Sequence, residues 1–305
     1  VIQGFSVICV VITTGYLLAR RGVLGSSAQE ALARVTFWVA SPALMLTVLA
    51  DADPGVVFSG RTVATGVGVL AGAVVYLPLA TWWWRRRVGE LVVGTMSAVY
   101  VNAANLGLPI AAYVLGDASL VAPVLLLQLI VIQPVSLLLL DASGTARGAG
   151  VMAVVRSTIN PITVASIVGV TLSGTGVTLP TLVREPLDVL GGFAVPAMLL
   201  AFGISLHAGP RPGAAATRGE VGLVSAIKLV VQPLVVFLTA EHGLGLEDAT
   251  VFAVTVLAAL PTAQNVFVLA ARYGQGVALS RDAVFVTTAG SLPVVLMLAA
   301  LLPHG

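Results

Sequence analysis

Charge is the first thing this chain lacks. Its 305 residues include 15 Lys plus Arg and 13 Asp plus Glu, where a soluble domain of that length holds roughly 76 charged residues at the usual quarter of composition. A water-facing surface cannot be built from so few. With 58% apolar residues and a mean hydropathy of +1.05, the composition excludes a disordered chain, a disulfide-rich secreted scaffold and a nucleic-acid partner. Cys9 is the single cysteine, so no intrachain disulfide forms. Histidine is scarce as well: His207, His242 and His304 all lie outside the apolar runs. No metal site and no cofactor is therefore expected. What is present is apolar sequence in long blocks, the signature of an all-α integral membrane protein whose first partner is the lipid bilayer.

A helix needs roughly 20 apolar residues to cross the hydrocarbon. Cutting at charges and loop residues leaves ten spans, at 1–19, 32–50, 62–84, 92–115, 119–140, 154–174, 187–206, 220–240, 249–271 and 282–302. The first lacks the basic flank and small-residue cleavage site of a signal peptide, so it reads as a mature helix. The connections are short, and no soluble domain is expected. Twelve arginines, at 20, 21, 34, 85, 86, 87, 147, 156, 211, 218, 272 and 281, fall in odd-numbered loops, while only Arg61 and Arg184 fall in even ones. By the positive-inside bias the odd loops are cytoplasmic, both termini face outward and the membrane is the cytoplasmic (inner) one.

Proline punctuation repeats in the two halves. Ser41-Pro-Ala-Leu-Met-Leu46 matches Val195-Pro-Ala-Met-Leu-Leu200 at an offset of 154, Pro78 matches Pro233 at 155, and Pro134 matches Pro293 at 159. In spans 4 and 9 two alignments compete. Pairing Pro109 with Pro261 gives 152, whereas pairing Ala103, Asn105 and Leu106 with Ala263, Asn265 and Val266 gives 160, which continues the drift of the offset. Two five-helix repeats follow, at 1–145 and 146–305. Five is odd, so the second copy enters the membrane from the opposite side. Inverted repeats of this kind build secondary transporters, with the substrate site where interrupted helices of the two halves meet. The plainer reading is that proline is common in transmembrane helices.

Span 4 carries Val-Asn-Ala-Ala-Asn-Leu-Gly-Leu-Pro-Ile at 101–110, and span 9 carries Leu-Pro-Thr-Ala-Gln-Asn at 260–265. Amides, glycine and proline in mid-span all oppose a straight helix, so a break is expected in each. Freed backbone at that depth survives only inside protein or against a cavity. The N-termini of the resuming half-helices present N–H groups and partial positive charge, which suit an anion. Asn105 and Asn265 are the repeat-related candidates, with Asn102, Gln264, Pro109, Pro261 and Thr262 beside them. Such amides also serve as plain interhelical glue, the reading preferred for Gln128, Gln133 and Gln232. Pro42 and Pro196 sit in apolar surroundings and suit static kinks. Eleven carboxylates, from Asp51 to Asp282, lie at span ends or in loops, leaving no mid-membrane acid for proton or sodium coupling. Lys228 is the titratable group well inside a span, eight residues beyond Glu220. It either compensates the charge of a bound anion or snorkels to the cytoplasmic surface from about 12 Å depth.

With these residues placed, Asn105-Leu-Gly-Leu-Pro-Ile110, Ala259-Leu-Pro-Thr-Ala-Gln-Asn265 and Leu269-Ala-Ala-Arg-Tyr-Gly274 resemble the auxin efflux carrier family, which holds plant carriers and bacterial organic-anion carriers. The resemblance covers nearly the whole chain in layout. It implies crossed broken helices 4 and 9, as in the NhaA antiporter and the bile acid symporters, with a scaffold of helices 1, 2, 6 and 7. Helices 3 to 5 and 8 to 10 would form a transport unit moving as an elevator, and a homodimer would form through the scaffold helices. Where plant members have a Pro-Asn pair in helix 4, this chain has Val101 and Asn102. After Pro261 it has Thr262 where they have an amide, and their long cytoplasmic loop is absent. These departures favour a small carboxylate over an auxin-like substrate. A sodium-coupled symporter of the bile acid type is the alternative. A membrane-embedded enzyme would need intramembrane acids, a Ser with a His partner or metal ligands, and a channel would need polar stripes along several helices.

Overall fold

The computed structural model describes residues 2–51, 59–143, 161–208 and 218–302. Asp53, Arg147, Arg156, Arg211, His304 and part of span 6 lie outside these. The described residues are helical with no β-strand. In chain order the helices are α1 (Ile2–Arg20), α2 (Ser27–Asp51), α3 (Gly60–Trp82), α4 (Val88–Val99), α5 (Leu108–Tyr113), α6 (Ala118–Leu140), α7 (Pro161–Thr175), α8 (Thr181–Ile204), α9 (Arg218–Gly243), α10 (Asp248–Ala258), α11 (Gln264–Tyr273) and α12 (Val277–Leu301). Six of these, α2, α3, α6, α8, α9 and α12, are long and apolar enough to cross a membrane. Val7–Arg20 of α1, α4, α7 and α10 are shorter apolar helices. The two shorter helices in spans 4 and 9 are short because each of those spans is interrupted, at Val99 and at Ala258.

Proline shapes the long helices in a consistent way. The π-helical turns Thr36–Ala40, Ala103–Gly107, Leu127–Ile132 and Ile227–Val231 each end two residues before a proline, Pro42, Pro109, Pro134 and Pro233. A proline ring collides with the carbonyl four residues back and cannot donate to it. Widening the preceding turn to an i→i+5 pattern moves that carbonyl aside, as in the bond from the Gln232 N–H to the Ile227 carbonyl. Pro42 is thus a kink of π type. Pro78 and Pro293 stay inside regular α-helix.

The described residues cluster into two compact units. The first comprises those within Val1–Phe58, Ala104–Leu126 and Ile159–Pro210. In it α1 packs on α8, and α7 and α8 pack on α2. Water does not drive helices together inside a bilayer, so close backbone approach must supply the attraction. Glycine allows it here: a Cβ at Gly15 would strike the Leu200 carbonyl, one at Gly203 the Ile12 carbonyl, and one at Gly169 would stand 2.9 Å from the Leu46 carbonyl.

The second unit comprises the described residues within Ser59–Ala103, Leu127–Thr158 and Arg211–Gly305. Its core joins Tyr76 and Ala80 of α3, Ala98 and Val99 of α4, Val221, Val224 and Ile227 of α9, and Leu279 and Ala283 of α12. Trp82 and Trp83 are exposed by 81% and 79% beside Arg85, Arg86 and Arg87. An aromatic and basic belt of this kind sits at the headgroup level of a membrane.

Candidate functional site

The second unit contains both helix interruptions. In span 9 the cause is local: Pro261 offers no N–H and forces Leu260 out of the α region, so α10 stops at Ala258. In span 4 no proline stands at the break, yet α4 stops at Val99 and Tyr100 is extended (φ −85°, ψ 105°). The cause there is a partner. Val101 and Thr262 form an antiparallel bridge, in which the Asn102 N–H donates to the Pro261 carbonyl at 2.8 Å and the Ala263 N–H to the Tyr100 carbonyl at 3.1 Å. Two short extended stretches, one from each interrupted span, lie side by side.

Side chains satisfy what the interruption exposes. The Val101 N–H donates to Oε1 of the buried Gln128 at 2.7 Å, and the Thr262 N–H to the Thr287 hydroxyl at 3.0 Å. Helix α4 ends with orphan carbonyls. The Thr262 hydroxyl donates to the Ser97 carbonyl at 2.6 Å, while the Val99 carbonyl accepts from Lys228 Nζ at 3.3 Å and from Gln232 Nε2 at 3.2 Å. Lys228 Nζ also donates to Gln232 Oε1 at 2.5 Å. Lys228 is fully buried and does not snorkel. Gly72 opens the space for this end of α4, since a Cβ there would lie 2.6 Å from Val99 and 3.1 Å from Ile227.

The residues singled out in the sequence take up different stations. Asn102, Pro261 and Thr262 are buried in the bridge itself. Gln264, half-buried, and Asn265, exposed, open the first turn of α11. The Tyr100 hydroxyl, beside the break, donates to Gln133 Oε1 at 3.0 Å. The second unit therefore brings together Asn102, Pro261, Thr262, Gln264, Asn265 and Lys228. Asn105, half-buried in the turn Ala103–Gly107, and the buried Pro109 belong to the first unit. Gln128, Gln133 and Gln232 do act as interhelical glue, and what they glue is the bridge. Thr287 and Tyr100 went unnoticed in the sequence, although a threonine pair in span 10, Thr287 and Thr288, and a tyrosine abutting the break were the available signals.

A second polar cluster lies outside the bridge. Glu220 is fully buried, accepts from the Tyr76 hydroxyl at 2.8 Å and is forked by Arg86, with Nε at 3.0 Å and Nη2 at 2.5 Å from Oε2. Arg86 Nη1 also meets Glu90 at 3.2 Å. Bonding to Glu220 raises the Arg86 pKa above its ordinary value, so the guanidinium stays charged.

A family model described as "Membrane transport protein" matches residues 2–299. The chain belongs to that family. It is the family of the auxin efflux carriers, to which the strings in spans 4 and 9 pointed, and this membrane transport protein is accordingly a multi-pass membrane protein. Among its relatives is an "Uncharacterized transporter" of Methanothermobacter thermautotrophicus, 30% identical over 303 residues, covering 93% of both chains. Another, from Rhizobium meliloti, is named "Putative malonate transporter" and is 25% identical over 301 residues, covering 95% of this chain and 92% of its own.

Proposed function

We propose that the protein is a secondary transporter carrying a small organic anion, of the carboxylate class, across the cytoplasmic membrane by elevator-type alternating access. The bridge between Val101 and Thr262 carries this reading. It joins two interrupted helices at unwound backbone, and it starts α11 with two amide side chains at a helix end of partial positive charge. The side chains that build it include a lysine and no carboxylate, a balance that favours a negatively charged guest. The R. meliloti relative's name points to the same chemical class. Asn102, Pro261, Thr262, Gln264 and Asn265, and in the first unit Asn105 and Pro109, are the proposed substrate-binding residues, with Lys228 compensating charge.

Ten spans as two inverted repeats are part of the proposal. The contacts of Gly15 with the Leu200 carbonyl and of Gly169 with the Leu46 carbonyl support it. A shift by 154 residues converts each pair into the other, as an exchange of the two halves requires. The stops at Val99 and Ala258 support the 160-residue alignment of spans 4 and 9 over the 152-residue one. Helices of spans 1, 2, 6 and 7 would form the scaffold, with a homodimer through them, and the others the moving body. The arginine distribution supports termini on the outside.

Reconstituted protein should take up labelled malonate or a related small carboxylate saturably. In detergent the same ligand should raise the melting temperature, because it binds only the folded state. Absence of both effects across a panel of mono- and dicarboxylates would rule the reading out.

A further inference from the structure

The turn from α3 to α4, Trp82-Trp83-Trp84-Arg85-Arg86-Arg87, lies outside the bridge and has no part in the transport reading. Arg85 has φ +50°, and among the described residues no other non-glycine residue has a positive φ. Glycine takes that conformation freely, whereas a side chain crowds the following carbonyl. The bend itself has a use: the Arg86 N–H closes onto the Ala80 carbonyl at 3.2 Å, and the Arg86 side chain turns inward to Glu220 and Glu90. Glycine at residue 85 would serve that closure with less strain, so the charge kept there calls for an account of its own. Arg85 and Arg87 are both exposed, and no ion pair among the described residues includes either. The two carboxylates bonded at this turn are engaged by Arg86. Trp82 and Trp83 are exposed on the same turn, and Trp83 stacks on the half-buried Trp84 with ring centroids 6.3 Å apart. A Cβ at Gly219, at the head of α9, would lie 3.5 Å from the Trp84 ring, so this platform is seated against the second unit.

We propose that this turn is a binding site for anionic phospholipid, with Arg85 and Arg87 on the headgroup phosphate and Trp82 and Trp83 seated where headgroups meet acyl chains. Guanidinium forks match phosphate oxygens bidentately. Indole rings offer an apolar face and one N–H donor, which suits that boundary. Charge selects the lipid: a zwitterionic headgroup brings its own cation beside the phosphate and gives the arginines no net attraction. On the orientation proposed above, the turn meets the cytoplasmic leaflet, whose anionic lipids attract basic segments flanking a span. The site goes beyond the transport reading and does not depend on it, since it requires only that the chain lie in a bilayer. Arg20 and Arg21, exposed after α1 with no tryptophan adjoining them in the sequence, supply the comparison.

Of the 4 tryptophans, Trp38→Phe leaves Trp82, Trp83 and Trp84, so the intrinsic fluorescence of that parent variant reads this turn alone. It is reconstituted in vesicles of phosphatidylcholine with increasing phosphatidylglycerol, the acyl chains of one lipid or the other carrying bromine. Quenching by each gives the binding constant of phosphatidylglycerol relative to phosphatidylcholine at the turn. That ratio should be about fivefold or more, the preference that one arginine near an anionic surface supplies. It should approach unity in Arg85→Gln/Arg87→Gln. Arg20→Gln/Arg21→Gln removes the same charge elsewhere and should keep the parent ratio. Arg85→Gly relieves the strained φ, so the ratio should fall while the melting temperature in detergent stays at or above that of the parent. A parent ratio near unity would deny lipid selectivity, and an equal fall in both glutamine pairs would reduce it to net charge. Arg85→Gly that keeps the parent ratio, or that melts lower, would assign Arg85 to the turn alone. Each of these results would overturn the proposal.

Discussion

The Tyr76 hydroxyl occupies the space where residue 94 would carry a Cβ, and because Gly94 has none that hydroxyl reaches Glu220 at 2.8 Å. Three helices, α3, α4 and α9, meet in this one contact. Gly94→Ala should push the ring away from Glu220 and cost about 1–3 kcal/mol, the usual range for overpacking a filled interior. A fall of a few degrees in the melting temperature of the purified protein is the expected sign. An unchanged value would mean that α3 and α4 separate freely.

The pair Arg86 and Glu220 should be unequal in its dependence on each partner. Glu220 is fully buried, whereas a quarter of the Arg86 side chain reaches the surface and also meets Glu90. Arg86→Gln strands a buried carboxylate and should cost about 3 kcal/mol. Glu220→Gln leaves the cation with solvent and Glu90 and should cost about 1–2 kcal/mol. Thermal unfolding of the two single variants and the double variant measures both the order and the coupling, and equal losses would remove the argument from burial.

Asn265 is the exposed amide at the start of α11. If it donates to a bound carboxylate, Asn265→Ala removes a charge-assisted hydrogen bond of about 1.5–3 kcal/mol and weakens affinity roughly ten- to a hundredfold. Asn105→Ala should do likewise. Ligand titration of folded variants decides the matter, and wild-type affinity in both would reduce the amides to structural glue.

Orientation can be read by thiol labelling in a Cys9→Ser background. Arg87 follows α3 in a loop placed in the cytoplasm by the arginine distribution, and the exposed Val177 follows α7 in a loop placed outside. Arg87→Cys should react with a membrane-impermeant maleimide only after the cells are opened, and Val177→Cys in intact cells. The reverse pattern would invert the topology.

Much of the fold was legible because lipid imposes its own grammar. Apolar length marks the helices long enough to cross, and proline marks where a turn widens, as at Pro42, Pro109, Pro134 and Pro233. Side-chain partnership was not legible. Glu220 stands at the head of a helix in the sequence like any capping carboxylate, and nothing within α9 says that Tyr76 and Arg86, more than a hundred residues earlier, enclose it. Gln128 in span 5, and Lys228 and Gln232 one turn apart in span 8, likewise read as isolated polar residues.

The two breaks divide the labour most clearly. Sequence alone determines the one at Pro261, because a missing N–H and a ring clash end α10 whatever surrounds it. It does not determine the one at Val101, a β-branched residue with an N–H that a helix would readily use. There the tertiary structure decides. The Gln128 carboxamide takes the Val101 N–H, the Asn102 N–H turns to Pro261, and Thr262, Gln232 and Lys228 cover the carbonyls left behind. A chain can signal a donor it lacks, but a donor diverted to a distant acceptor is visible only once the acceptor has been brought beside it.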